Sequence, residues 1–192
     1  METPKTYGWD HTPTLEEMLA YNTQFVEKKE YEQYATDKYP AKKLAVLTCM
    51  DTRLTTLLPA ALGLKNGDAK IIKNAGGIIT HPYGSVMHSL LISIYELGVE
   101  EILVVGHDDC GVQNLDGAHM LKTMQNRGID ARTIETICST QCDLHRWMSG
   151  FHDVEKSVQK TVEAIRQHPL VPAGIQVYGV VMNPQTGRIR KV

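Results

Sequence analysis

The sequence predicts an α/β fold: a single domain with a mostly parallel central sheet, flanking helices and an antiparallel C-terminal edge strand. Three observations predict it. Two unbroken apolar runs, Leu44-Ala45-Val46-Leu47 and Ile102-Leu103-Val104-Val105, read as strands covered on both faces, as in parallel sheets. Segments with helical spacing separate such runs, and parallel strands need these crossovers, which are right-handed. The tail, 176–192, reads instead as strand, turn and strand, with Pro184-Gln185-Thr186-Gly187 as the turn. A chain of 192 residues suits one domain, 1–192, and no repeat, linker or low-complexity tract divides it.

Thr14-Leu15-Glu16-Glu17 has the form of a capping box and opens a helix to about residue 34, within an N-terminal helical arm over 14–36. Leu15, Met18, Leu19, Tyr21 and Phe25 are its apolar positions, before the charged run Glu27-Lys28-Lys29-Glu30. The arm precedes the first core strand and has no early neighbour, so it packs on its own domain or on a second subunit. The first strand is 44–49. A short helical stretch, 54–62, is interrupted by Pro59. Asn66-Gly67-Asp68 is a turn, 70–73 a strand, and Asn74-Ala75-Gly76-Gly77 the start of a loop. The helix over 84–97 has Val86, Leu90, Leu91, Ile94 and Leu97 on one face and ends at Gly98. A strand at 101–106 is followed by a helical insertion, 112–150. A helix at 154–167 stops before Pro169. Strands at 176–182 and 188–192 close the chain.

Hydrophobic content of 42% and charged content of 22% are those of an ordinary globular protein. A formal net charge of −2 gives no reason to expect nucleic acid or a membrane as partner. No apolar run approaches the length of a membrane span, and the polar stretch Met1–Pro13 lacks the apolar centre of a signal peptide. Four cysteines in such a chain suggest metal ligands or free thiols rather than a disulfide framework. The expected setting is cytoplasmic.

Two short strings carry the chemistry: Cys49-Met50-Asp51-Thr52-Arg53 and His107-Asp108-Asp109-Cys110-Gly111. Each directly follows a predicted strand, and open α/β sheets bind ligands beyond the carboxyl ends of their strands. Two cysteines and a histidine are a zinc set, and three protein ligands leave a fourth position for water, the arrangement of a catalytic metal. Taken singly, a cysteine at a strand end is a small buried hydrophobe and a lone histidine a hydrogen-bonded loop residue. Their arrival together at strand ends of one sheet favours metal. Residues two apart in extended chain share a face, so Cys49, Asp51 and Arg53 lie on one side. Beside a metal, Asp51 could accept a proton from water or hydrogen-bond it, with Arg53 keeping Asp51 ionised; the plain alternative is a surface ion pair.

Gly76 and Gly77 allow close backbone approach to a ligand, a phosphate-binding turn or simply a turn; the G-x-G-x-x-G fingerprint is absent. Cys138, Cys142 and His145 form a second C-x3-C-x2-H string inside the insertion. Helical spacing permits a shared face, but no strand end positions them and no fourth ligand is evident, so core packing or exposed thiols compete with metal. His81, His88, His119, His152 and His168 stand without motif company.

The two principal strings resemble those of the β-class carbonic anhydrases, which carry C-x-D-x-R after the first strand and H-x-x-C-G after the third. The R-N-A-G loop of that family is matched by Lys73-Asn74-Ala75-Gly76. The resemblance covers residues 40–115 and, more loosely, the final helix, strand and hairpin. It implies one Zn2+ per chain on Cys49, His107 and Cys110, and a catalytic dyad of Asp51 and Arg53. Asp51 would become a fourth ligand only in a closed state. The implied reaction is the reversible hydration of carbon dioxide to bicarbonate by zinc-bound hydroxide, with backbone at Gly76 and Gly111 positioning the substrate. A homodimer or higher homo-oligomer is implied too, with the 14–36 arm lying across the partner. Alternatives are hydrolysis of carbonyl sulfide or carbon disulfide at the same site, or a non-catalytic zinc or thiol sensor. In the sensor Asp51 would close the site and Cys138 and Cys142 would respond to oxidants. The chain departs from the family in three places. Lys73 replaces an arginine and loses its planar fork. Asp108 stands where Ser or Thr is common and adds negative charge beside the metal. The 112–150 insertion could cover the pocket mouth and change substrate access.

Overall fold

The computed structural model describes residues 11–192, so the first ten residues of the polar Met1–Pro13 stretch lie outside it. The chain divides at Thr36 into two compact units. In the first, helix α1 (Leu15–Glu27) starts in the expected capping box: Thr14 Oγ1 accepts from the Glu17 amide at 3.2 Å, and the Thr14 amide donates to the Glu17 carboxylate at 2.8 Å. The helix ends about two turns earlier than the sequence predicts. Lys29 takes a left-handed conformation (φ 56°), and a 3-10 turn, Glu30–Tyr34, follows, in which Tyr34 lies 6.3 Å from the Phe25 ring. A lysine carries no turn signal of the kind glycine or asparagine would, so this stop was not legible. Neither helical segment of the arm contains a buried residue.

Residues 37–192 hold a five-stranded sheet in the order β2-β1-β3-β4-β5, with β1 (Leu44–Cys49), β2 (Ala69–Asn74), β3 (Glu101–His107), β4 (Gln176–Met182) and β5 (Ile189–Lys191). The first four strands are parallel; β5 runs antiparallel against β4, so the α/β class and its reversed edge are both present. Both faces are covered. Ala45, Ile102 and Val104 pack on one side against Met87 and Leu90 of α3 (Ser85–Tyr95) and Val158, Val162 and Ile165 of α7 (Val154–Arg166). On the other, Val46 and Val105 pack against Leu54 and Leu58 of α2 (Leu54–Ala61). Each fully buried aliphatic side chain of this kind contributes about 1.5–3 kcal/mol, which is why an amphipathic helix such as α7 is held. α2 continues through Pro59 instead of breaking there. In a two-turn helix the proline forfeits one internal hydrogen bond, and burial of Leu54 and Leu58 outweighs it.

The insertion folds as three short helices, α4 (Gly117–Asn126), α5 (Ala131–Thr140) and α6 (Leu144–Met148), around a small core of Leu121, Ile134 and Leu144. Its two ends are tied at a neck. The Asn114 amide donates to the Phe151 carbonyl at 2.7 Å, and the Gly150 amide to the Leu115 carbonyl at 2.9 Å. The backbones meet so closely that a Cβ on Gly150 would sit 1.7 Å from the Val112 carbonyl oxygen. Among the described residues no helix is long and apolar enough to cross a membrane.

Candidate metal centre

The chain runs from β1 to β2 on one side and later to β3 on the other. The carboxyl ends of β1 and β3 therefore meet at the point where strand order reverses, the usual binding crevice of such sheets. Cys49 ends β1 and His107 ends β3. Cys110 follows after a turn in which Asp109 has a left-handed backbone (φ 54°). One ligand atom from each of Cys49, His107 and Cys110 lies within 4.8 Å of the others, and all three residues are buried. The two sulfurs are 3.8 Å apart. The second string does not do this. Among the described residues, the grouping of possible metal ligands comprises these three alone, and Cys138 and Cys142 pack instead beside Leu121, Ile134 and Leu144.

The fit to a metal ion rests on His107. Its Nδ1 is 2.8 Å from the Asp108 carbonyl, which fixes the proton on that nitrogen. Its Nε2 is the one buried side-chain nitrogen or oxygen, among the described residues, with no hydrogen-bond partner. A buried polar atom left bare is costly, and a lone pair beside two thiols is what a zinc ion takes up. The two sulfurs share one proton between them. The hydrogen bond from Cys110 lowers the Cys49 thiol, helped by His107 and by the Asp51 and Gly76 amides, while Cys110 is raised by sharing its proton with Cys49. Burial favours neutral His107, but the Cys49 sulfur and the Asp108 carbonyl outweigh it and raise its pKa.

Asp51 and Arg53 form a bidentate pair: Nε to Oδ1 at 3.0 Å and Nη2 to Oδ2 at 2.8 Å, with the Arg53 amide also donating to Oδ1 at 2.9 Å. The Arg53 guanidinium holds the Asp51 carboxyl at about 2. Oδ2 of Asp51 stands 3.8 Å from His107 Nε2, so the carboxylate faces the cluster while Arg53 restrains it. Arg53 also reaches Asp109, at Oδ2 (2.9 Å) and at the backbone carbonyl (2.8 Å), and so ties the loops after β1 and β3 together. That contact was missed because it needs the left-handed turn at Asp109. Lys73 donates to the Asp51 carbonyl at 3.4 Å and to Thr55 Oγ1 at 3.2 Å, supporting the same loop as a point donor.

The 74–78 loop approaches closely. Asn74 bonds Ile78 through both ends of its amide, and a Cβ on Gly77 (φ 64°) would lie 2.9 Å from the Thr48 carbonyl carbon. Gly76 lies against Val112 and Phe151; Gly111 is exposed, with no atom near where its Cβ would stand. Phe151, delivered by the neck, carried no sequence signal. The charge expected from Asp108 is answered by Arg190, which grips it with two bonds.

A family model described as carbonic anhydrase matches residues 44–189. The chain is 49% identical over 176 residues to "Putative carbonic anhydrase YvdA" of Bacillus subtilis, covering 92% of this chain and 89% of that protein. It is also 31% identical over 181 residues to a carbon disulfide hydrolase of Acidianus sp. (strain A1-3), covering 86% of each. Among solved structures, a β-carbonic anhydrase isoform of Trichomonas vaginalis superposes with a TM-score of 0.84 at 35% identity, covering 94% of this chain and 97% of that one.

Proposed function

The chain belongs to the β-carbonic anhydrase family, and from that premise we propose that it interconverts carbon dioxide and bicarbonate, with one zinc ion per chain held by Cys49, His107 and Cys110. The observation that carries this reading is the bare, buried Nε2 of His107 facing two thiols. Zinc, when bound, supplies a Lewis-acidic position that makes a water nucleophilic near neutral pH. The protein's own groups then set the geometry. Two thiolates balance the charge of the ion, so Arg53 contributes positive charge that the ligands do not. Asp51, ionised and restrained by Arg53, accepts a hydrogen bond from the attacking water and fixes its orientation; its pairing with Arg53 keeps it from becoming a fourth ligand. Val112 and Phe151 give an apolar wall beside Gly76, which suits a nonpolar substrate. We assign Gly76 and Gly111 to the substrate surface; the open surroundings of Gly111 support its part.

The test is stopped-flow carbon dioxide hydration on protein of measured zinc content. Asp51→Ala keeps its zinc and slows hydration by about 10- to 1,000-fold, the range for orienting and general-base groups. Near-normal hydration at matched zinc would reduce the dyad to a structural ion pair.

A second reading, hydrolysis of carbon disulfide or carbonyl sulfide at the same residues, draws support from the relatives of that name. Sulfide release from those substrates, measured beside hydration, separates the two. The sensor alternative draws none: Asp51 is committed to Arg53, and Cys138 and Cys142 pack among apolar side chains. The cytoplasm suits ligands that must stay reduced thiols. For assembly we propose a homodimer built on the arm, whose Leu15 and Leu19 are 62% and 57% exposed. Removing residues 1–36 then shifts the sedimenting species from dimer to monomer; an unchanged dimer would rule the arm out.

A further inference from the structure

We propose that Arg190, on the short edge strand β5, is a positioning residue for the metal site: it clamps Asp108 so that the Asp108 carbonyl fixes the His107 ring. This rests on the reading of Cys49, His107 and Cys110 as metal ligands. The Arg190 fork takes both carboxylate oxygens of Asp108, Nη1 to Oδ2 at 2.9 Å and Nη2 to Oδ1 at 2.8 Å. Its Nε donates to Glu155 of α7 at 2.9 Å. The Asp108 amide donates to the Met182 carbonyl at the end of β4, at 3.0 Å. Holding the side chain and the amide restricts the backbone at Asp108, and its carbonyl accepts from Nδ1 of His107 at 2.8 Å. The opposite nitrogen, Nε2, is thereby aimed at the two sulfurs.

The edge strand exists in the right register to do this. Arg190 pairs with Val181 and Ile189 with Met182, so the guanidinium arises beside the strand end where Asp108 docks. Arginine is needed because the task is a planar, bidentate grip with a third donor to spare; a lysine offers a single point charge. The pair is also partly exposed, and such pairs contribute little to global stability. Its effect belongs in ligand geometry, where losing an outer partner of a metal-bound histidine typically weakens binding about 10- to 100-fold.

The experiment uses purified full-length protein, with zinc affinity measured by competition with a chromophoric chelator and melting of the apoprotein measured beside it. Arg190→Ala binds zinc about 10- to 100-fold more weakly while the apoprotein melts as wild type does. Arg190→Lys recovers part of the affinity, and Asp108→Thr added to Arg190→Ala costs nothing further. Glu155→Gln, which leaves the fork on Asp108, changes affinity little; it and Arg190→Lys also serve if Arg190→Ala fails to fold. Wild-type affinity in Arg190→Ala overturns the proposal. So does an apoprotein melting loss that accounts for the weaker binding, or a loss in Glu155→Gln equal to that in Arg190→Ala. A wild-type protein with no zinc affinity would defeat the underlying metal reading, a result distinct from any of these.

Discussion

Two regions of this chain each carry two cysteines and a histidine, and only one assembles them. At the ends of β1 and β3, Cys49, His107 and Cys110 converge within 4.8 Å although Cys49 and Cys110 are 61 residues apart. In the insertion, Cys138, Cys142 and His145 are close in sequence and form no such group among the described residues. The sheet makes the difference. β1 and β3 are hydrogen-bonded neighbours in fixed register, so their ends deliver side chains to one place. The local string relies on continuous helix, and helix α5 stops at Thr140; Gln141 (φ −131°, ψ −50°) then turns the chain before Cys142. Proximity in sequence promises a shared helix face only while the helix lasts.

The sharpest way to break this comparison is to remove one thiol from each region. Cys110→Ser should lose most of its zinc on metal analysis, while Cys142→Ser keeps about one ion per chain, since direct thiolate bonds dominate affinity. Zinc retained by the first variant, or lost by the second, would reverse the assignment.

A smaller effect tests what braces the assembled region. Asp51 is held at about 2 by Arg53, below its ordinary value. A depressed carboxylate contributes stability that is complete above the ordinary carboxylate pKa of about 4 and is lost as pH falls through about 2. Arg53→Ala removes the main cause, so Asp51 should titrate at higher pH and the acid limb of the hydration profile should move up with it. A profile of unchanged shape would mean that Arg53 does not govern Asp51.

These two regions also show what was legible. The strands β1 and β3 were plain from their apolar runs, and the Asp51–Arg53 pair followed from two-residue spacing. The Arg53–Asp109 contact was not, because it needs a non-glycine residue in a left-handed turn. Nor was Arg190 on Asp108, which spans 82 residues and appears only once β5 has paired with β4. The end of α5 before Cys142 carried no proline or glycine to announce it. Sequence reading recovered what local patterning determines, and missed what tertiary pairing supplies.

The smallest effect at the metal centre should come from the insertion's own core. Leu121→Ala removes a buried side chain from the Leu121–Ile134–Leu144 cluster, a change that costs about 2–5 kcal/mol in well-packed sites. Hydrogen exchange should quicken across 117–148 while zinc content stays that of the wild type. Metal loss in this variant would show that the two regions are less separable than their cores suggest.

The neck that ties Val112–Leu115 to Gly150–Phe151 makes the insertion an exchangeable part. Closing a loop whose ends are already joined becomes only slowly harder as it lengthens, by about 0.6 kcal/mol per doubling. The stretch from Gly117 to Met148 is thus free to be shortened, lengthened or swapped for a foreign hairpin without disturbing the strand ends beneath. Evolution, or an engineer, can change that stretch and keep Val112 and Phe151 against Gly76.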